Sequence, residues 1–148
     1  MRDDKGFTLI ELMVVVLIIA ILIAIAIPTF LGLRKRAQDR AAQSDLRNGL
    51  TAAKAFYTDH DTFTPFTDLG VGADFDDTEG ETIEPSLVWG TADPSVEGQV
   101  SVREVSSNTV LLTTLSASGT FFCIGDDNGE NVSGATDAAV IADCSGGF

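Results

Sequence analysis

The chain has 148 residues, room for one ordinary domain, and its 9 basic and 22 acidic residues give a net charge of −13. The charge is uneven: residues 1–54 carry eight bases against five acids (+3), and residues 55–148 carry one base, Arg103, against seventeen acids (−16). So acidic a C-terminal part is a poor electrostatic match for a polyanion, which argues against direct nucleic-acid binding.

The first segment, MRDDKG, is a short polar leader with two bases, Arg2 and Lys5. From Phe7 to Leu33 the one charged side chain is Glu11, with Thr8 and Thr29 as milder interruptions. Twenty-seven helical residues rise about 40 Å, enough for a tilted crossing of a ~30 Å hydrocarbon core. Three readings fit. Ala24-Ile25-Ala26 matches a small-x-small signal-peptidase site, but the apolar block is long for a cleaved signal and continues past it. A plain single-pass anchor fits the length but leaves Glu11 unexplained, because a carboxylate at bilayer depth is expensive.

The third reading starts from KGFTLIELMVVVLIIAILIAIAIP, residues 5–28. This stretch resembles the N-terminus of type IV prepilins and their pseudopilin relatives; Lys5, Gly6, Phe7, Thr8, Leu9, Ile10, Glu11 and Leu12 all match the pattern. The resemblance implies that a prepilin peptidase removes residues 1–6 by cutting after Gly6, and that Phe7 becomes an N-methylated first residue. It implies a role for Glu11 in assembly, with the carboxylate beside the new α-amino group of a neighbouring copy. Such an amine is largely cationic at neutral pH. The sequence alone also allows Glu11 to be a membrane-edge residue that reaches water.

Pro28 lies within the helical pattern, removes a donor and predicts a kink. Beyond Leu33 the pattern becomes amphipathic, with Ala42, Leu46, Leu50, Ala53 and Tyr57 at helical spacing. Thr8 to about Tyr57 therefore reads as one helix of some fifty residues, roughly 75 Å long. Lys35 and Arg36 stand where they can form exposed pairs with Asp39. Counting positive charges sets Arg2 and Lys5 before the apolar block against Arg34, Lys35, Arg36 and Arg40 after it. That count places the acidic part in the cytoplasm, whereas the resemblance implies the outside.

Residues 58–85 are rich in turn formers and acids and read as a loop. Strand candidates follow in SLVWG, GQVSVREV, NTVLLTTLS and GTFFCIG, with a hairpin around Ser106 to Asn108. Three or four antiparallel strands with one apolar face would cover the helix stripe. Cys123 and Cys144 enclose twenty residues; they are either a disulfide, worth roughly 3 kcal/mol in the chain-entropy model, or two buried thiols. A late pair beside a membrane segment fits an exported setting, and in the resembling family a bridge closes the C-terminal loop there.

Catalytic chemistry finds no nucleophile–base set. The single histidine, His60, lies between aspartates in TDHDTF, and a solvated residue explains it as well as a metal ligand. The clusters DDNGEN (126–131) and DFDDTEGE (74–81) offer oxygen ligands of the type calcium takes, without helix–loop–helix spacing. No cofactor or metal is expected.

The chain thus reads as an α+β protein in four parts. These are a leader at 1–6, an apolar transmembrane or filament-core helix at 7–33, its amphipathic continuation at 34–57, and an acidic head with an antiparallel sheet at 58–148. By resemblance it is a subunit, read here as the major one, of a type IV pilus used for adhesion, twitching motility or DNA uptake. Its partners would be further copies of itself, the prepilin peptidase, the pilus assembly platform and its ATPase machinery, and the membrane before assembly. The alternatives are a pseudopilin of a type II secretion or competence system, and a secreted or anchored binding domain with a conventional signal.

Overall fold

A computed structural model describes residues 7–64, 66, 79–90, 97–138 and 140–148. Gly6, the bases Arg2 and Lys5, and residues 74–78 of the acidic run at 74–81 lie outside the described residues. The chain divides into two compact units, Met1–Arg36 and Ala37–Phe148.

One helix, α1 (Leu9–His60), runs through both units and passes Pro28 without a break. It ends three residues beyond the expected Tyr57. Asp61 stops it in a left-handed conformation at φ 57°, and its N–H donates to the Tyr57 carbonyl at 2.8 Å, as at many helix C-termini. A short helix, α2 (Glu79–Ile83), interrupts the expected loop. Strands β1 (Trp89–Gly90), β2 (Val100–Val105), β3 (Thr109–Leu115), β4 (Phe121–Asp127) and β5 (Glu130–Gly134) form one sheet in chain order.

The β2–β3 hairpin turns where expected, with Ser106 N–H donating to the Thr109 carbonyl at 2.8 Å. Two strand expectations need correction. Only Trp89 and Gly90 of SLVWG join the sheet, and they pair parallel to β2. The fifth strand falls on residues read as an acidic loop, with Asp127 opposite Glu130 across a two-residue turn. Asn128 (φ 54°) and Gly129 (φ 90°) make that turn. Asn-Gly takes up this twist at little cost.

Strand alternation divides the second unit into two apolar clusters. Val100, Val102, Val110, Leu112, Phe122 and Ile124 face α1, whose buried stripe is Ala42, Leu46, Gly49, Leu50, Ala52, Ala53 and Phe56. The stripe closes on two aromatics: Phe56 is buried, and Tyr57 is half-buried and packs against the same core. Gly49 sits where helix and sheet come closest. A Cβ there would meet Leu112 Cδ1 and Val100 Cγ1 at 3.2 Å, which explains a residue that weakens helices by roughly 1 kcal/mol. An irregularity between Val102 and Glu104 leaves Arg103 as the extra residue in β2. That bulge lets Val105 rejoin the helix-side cluster while Glu104 accepts the Ile141 N–H at 2.6 Å.

On the other face Leu111, Cys123, Ala138 and Cys144 cluster with Val132 and Ile141. Cys123 and Cys144 are joined in a disulfide, Cα–Cα 5.9 Å. The last residues then run beside β5. Gly134 pairs with Gly146, Gly147 N–H donates to the Ser133 carbonyl at 2.9 Å, and Phe148 meets the Phe122 ring edge-on at 5.5 Å. The tail thereby covers a sheet edge that would otherwise offer unpaired backbone groups.

Candidate assembly surface

The first unit presents an apolar surface and a capped end. Between Phe7 and Leu33 nineteen large apolar side chains are exposed, from Val14, Ile19 and Ile23 at 49 % to Phe7 at 86 %. They lie on all sides of the helix, and its most apolar 18-residue window has nothing buried. A helix apolar all round belongs in a bilayer or inside a bundle, and an exposed apolar surface this long marks an interaction site.

Glu11 sits in the first turn of that helix. The Thr8 N–H donates to Glu11 Oε2 at 2.9 Å and the Thr8 hydroxyl donates to the same oxygen at 2.7 Å. In return Glu11 N–H donates to Thr8 Oγ1 at 3.3 Å. This is a capping box, in which the N-cap threonine and the glutamate three residues on satisfy each other's backbone donors. Its signal, Thr8-Leu9-Ile10-Glu11, stood in the sequence, but reading Glu11 only as an isolated charge passed over Thr8. Within a single chain the carboxylate already holds two donors. Glu11 is exposed, and its other oxygen has no hydrogen-bond partner among the described residues. Phe7, which precedes the cap, is exposed.

At Pro28 the missing N–H leaves the Ala24 carbonyl without its usual helical donor. One residue on, the Thr29 hydroxyl donates to the Ile25 carbonyl at 3.2 Å. That bond adds a second donor to the Ile25 carbonyl and does not replace the one lost at Ala24.

The second unit holds its charges differently. Lys54 Nζ lies 2.9 Å from Asp126 Oδ2 and donates to Asn131 Oδ1 at 2.5 Å. Asp126 is buried and also accepts the Gly129 N–H at 2.7 Å. The acid most central to DDNGEN is therefore held between α1 and its own turn. The sequence reading missed Lys54 because only the fold reveals its distant partner. At the other end of β4, the Ser118 hydroxyl bonds both Asp39 and Thr120. Arg47 lies over the Phe148 ring at 5.3 Å, a cation–π contact. Burial pushes the Asp45 carboxyl above the ordinary carboxylate range.

His60 stacks on Phe56 with ring centroids 4.1 Å apart, and its Nδ1 lies 3.0 Å from the Phe56 carbonyl oxygen. Among the described residues no three His, Cys, Asp or Glu side chains gather as a metal site, and both cysteines are in the disulfide.

The family model for the prokaryotic N-terminal methylation motif matches residues 1–27. The chain is 46% identical over 63 residues to the type IV major pilin protein PilA of Myxococcus xanthus, covering 43% of this chain and 29% of that protein. It is 44% identical over 64 residues to the type IV wide pilus major component PilA4 of Thermus thermophilus, covering 43% and 49%. To the type II secretion system core protein G of Vibrio cholerae it is 37% identical over 73 residues, 49% of each. The chain thus spans at most about half the length of these relatives. No solved structure matches it.

Proposed function

The chain belongs to the type IV pilin and pseudopilin family, and on that premise we propose that it is the structural subunit of a type IV pilus. It is made as a prepilin and held in the membrane by its apolar helix. Cleavage after Gly6 and N-methylation of Phe7 mature it, and it is then drawn into a helical fibre whose core is the bundle of N-terminal helices. The acidic second unit, residues 37–148, forms the outer face on the far side of the membrane.

One observation carries this reading. A helix with nineteen exposed large apolar side chains opens on a glutamate, three residues after a threonine that caps it, inside a methylation motif. The capping box makes Glu11 tolerable in a single membrane-held subunit by giving its carboxylate two donors. The second oxygen leaves room for the cationic amine of a neighbour's Phe7, a charge-assisted bond in which both donor and acceptor carry charge. That amine exists only after the leader has gone, so maturation would license assembly.

The likeness to core protein G favours a second reading, a pseudopilin of a type II secretion system. The location of the mature protein separates the two. Intact mass of the native chain should correspond to methylated Phe7 through Phe148, and electron microscopy of sheared surface material, labelled with antibody to residues 37–148, should show decorated fibres. A chain beginning at Met1 or Ile27 would end both readings. The mature mass without surface fibres would leave the pseudopilin.

A further inference from the structure

Three adjacent bases, Arg34, Lys35 and Arg36, follow directly on the apolar block and are all exposed. None forms an ion pair with a described residue, whereas Lys54 is paired with Asp126. On the outer side of a membrane such a cluster opposes the usual distribution of positive residues. Three exposed cations with no ion-pair partner among the described residues, kept against that distribution, leave their charge available to a partner outside their own chain.

We propose that Arg34, Lys35 and Arg36 form a docking surface for the acidic second unit of another copy of this chain. The proposal rests on the pilin reading above. Charge complementarity carries it: residues 55–148 hold seventeen acids against one base. Subunits whose second units pack side by side, with residues 55–148 at −16 in each, would repel at close range. Screening fades such charges only beyond roughly 8 Å at physiological ionic strength. A cationic stretch from each copy, set among the acids of its neighbours, offsets that repulsion and fixes the register at which copies can approach. Anionic lipid headgroups share the anionic chemistry, but the strongly negative leaflet faces the cytoplasm, and this segment lies on the opposite side in the proposed orientation.

The test uses whole fibres sheared from cells. A zero-length carbodiimide joins an amine to a carboxylate only in direct contact. Covalent dimers separated from monomer should carry Lys35 coupled to an Asp or Glu within residues 55–148. Lys35→Arg should keep the fibres and lose that product. The triple variant R34E/K35E/R36E should lower fibre yield at least about tenfold, equivalent to about 1.4 kcal/mol or more per assembly step, while the mature membrane pool stays at the wild-type level. The charge-preserving R34K/R36K should assemble normally. Normal fibres from the triple variant, or dimers in which Lys35 is never coupled, would overturn the proposal. Loss of the membrane pool before assembly would assign the cluster to lipid and overturn it too. Absence of fibres in the wild type would instead refute the pilin reading, and this inference with it.

Discussion

The pair between Lys54 and Asp126 links the helix to the β4–β5 turn, and its removal tests how the second unit is held. Lys54→Met keeps the apolar stem of the side chain and deletes the ammonium. Asp126, whose side chain is 7% exposed, then keeps a single described donor, the Gly129 N–H. Breaking a fully buried pair costs roughly 3–5 kcal/mol, and an exposed one contributes about 0–1 kcal/mol. The Lys54 side chain is 41% exposed, so the loss falls between these limits, at about 2 kcal/mol. Unfolding the stretch Ala37–Phe148 carries an entropy near 0.24 kcal/mol/K, from about 2.1 cal/mol/K for each residue. The expected fall in Tm is therefore about 8 °C.

Trp89, the only tryptophan, lies in the same core, and its fluorescence reports unfolding of the full chain in detergent. Asp126→Asn should cost less, about 1 kcal/mol, because Lys54 reaches water once uncharged oxygen replaces its partner. The double variant should recover part of the summed loss, leaving a coupling of about 1–1.5 kcal/mol. Additivity to within about 0.5 kcal/mol, or a Tm unchanged by Lys54→Met, would refute the assignment of this pair as the anchor of the turn.

Glu11→Gln should leave cleavage after Gly6 intact, since the amide oxygen still accepts the Thr8 donors, yet fibre yield should collapse as with Glu11→Ala; normal fibres from the glutamine variant would show that capping alone matters. Asp45 titrates with its folded-state pKa raised by burial, so its protonated form favours folding, and that stability is present at acid pH and lost as pH rises through the raised value. Asp45→Asn should accordingly raise the urea midpoint near neutral pH and flatten its fall as pH rises above the ordinary aspartate value; an unchanged pH profile would contradict this. Gly134→Ala would drive a Cβ into the Ser145 backbone and should cost about 1–3 kcal/mol by overpacking, read as a lower Tm and faster proteolysis of the C-terminal tail. Non-reducing mass analysis of the mature chain should find two hydrogens fewer than the dithiol form, with no alkylation at Cys123 or Cys144.

Elements whose signals are local were legible from the sequence. The long helix follows from an apolar run and a stripe at 3.6-residue spacing, and β2, β3 and β4 from alternating apolar residues bounded by turn formers. The β5 strand was lost because its acids drew attention to metal chemistry, although Asn128-Gly129 is a hairpin signal in its own right. Trp89 and Gly90 could not be assigned a direction, since parallel pairing is set by the chain's path and not by two residues. Tyr57 packs against the core as its spacing implies, but Gly49, Ala52 and Phe56 are buried beside that line, because a helix pressed on a sheet buries a face wider than one row of residues. At the assembly surface, position and charge were readable for Glu11, whereas its bond to Thr8 required the capping pattern to be recognised. Lys54–Asp126 spans most of the second unit, and nothing local to either residue announces it.

The driving force for assembly follows from comparing the two places the first unit can occupy. In the bilayer its apolar side chains face lipid tails, and in a fibre they face other helices. Lipid is about as apolar as leucine, so the transfer of nineteen side chains from one to the other contributes little net hydrophobic free energy, even though burial of each from water is worth roughly 1.5–3 kcal/mol. Apolar area therefore keeps the subunit out of water without choosing between membrane and fibre. Polar groups make that choice: an oxygen of Glu11 that Thr8 does not fill, and cations at 34–36 with no described partner in their own chain. Neither has a further partner among the described residues of the single subunit, and in the fibre proposed here the first would meet its complement at a neighbour's N-terminus and the second on a neighbour's acidic face. Two such contacts at different heights along one helix fix an axial offset between copies, which a smooth apolar surface cannot do.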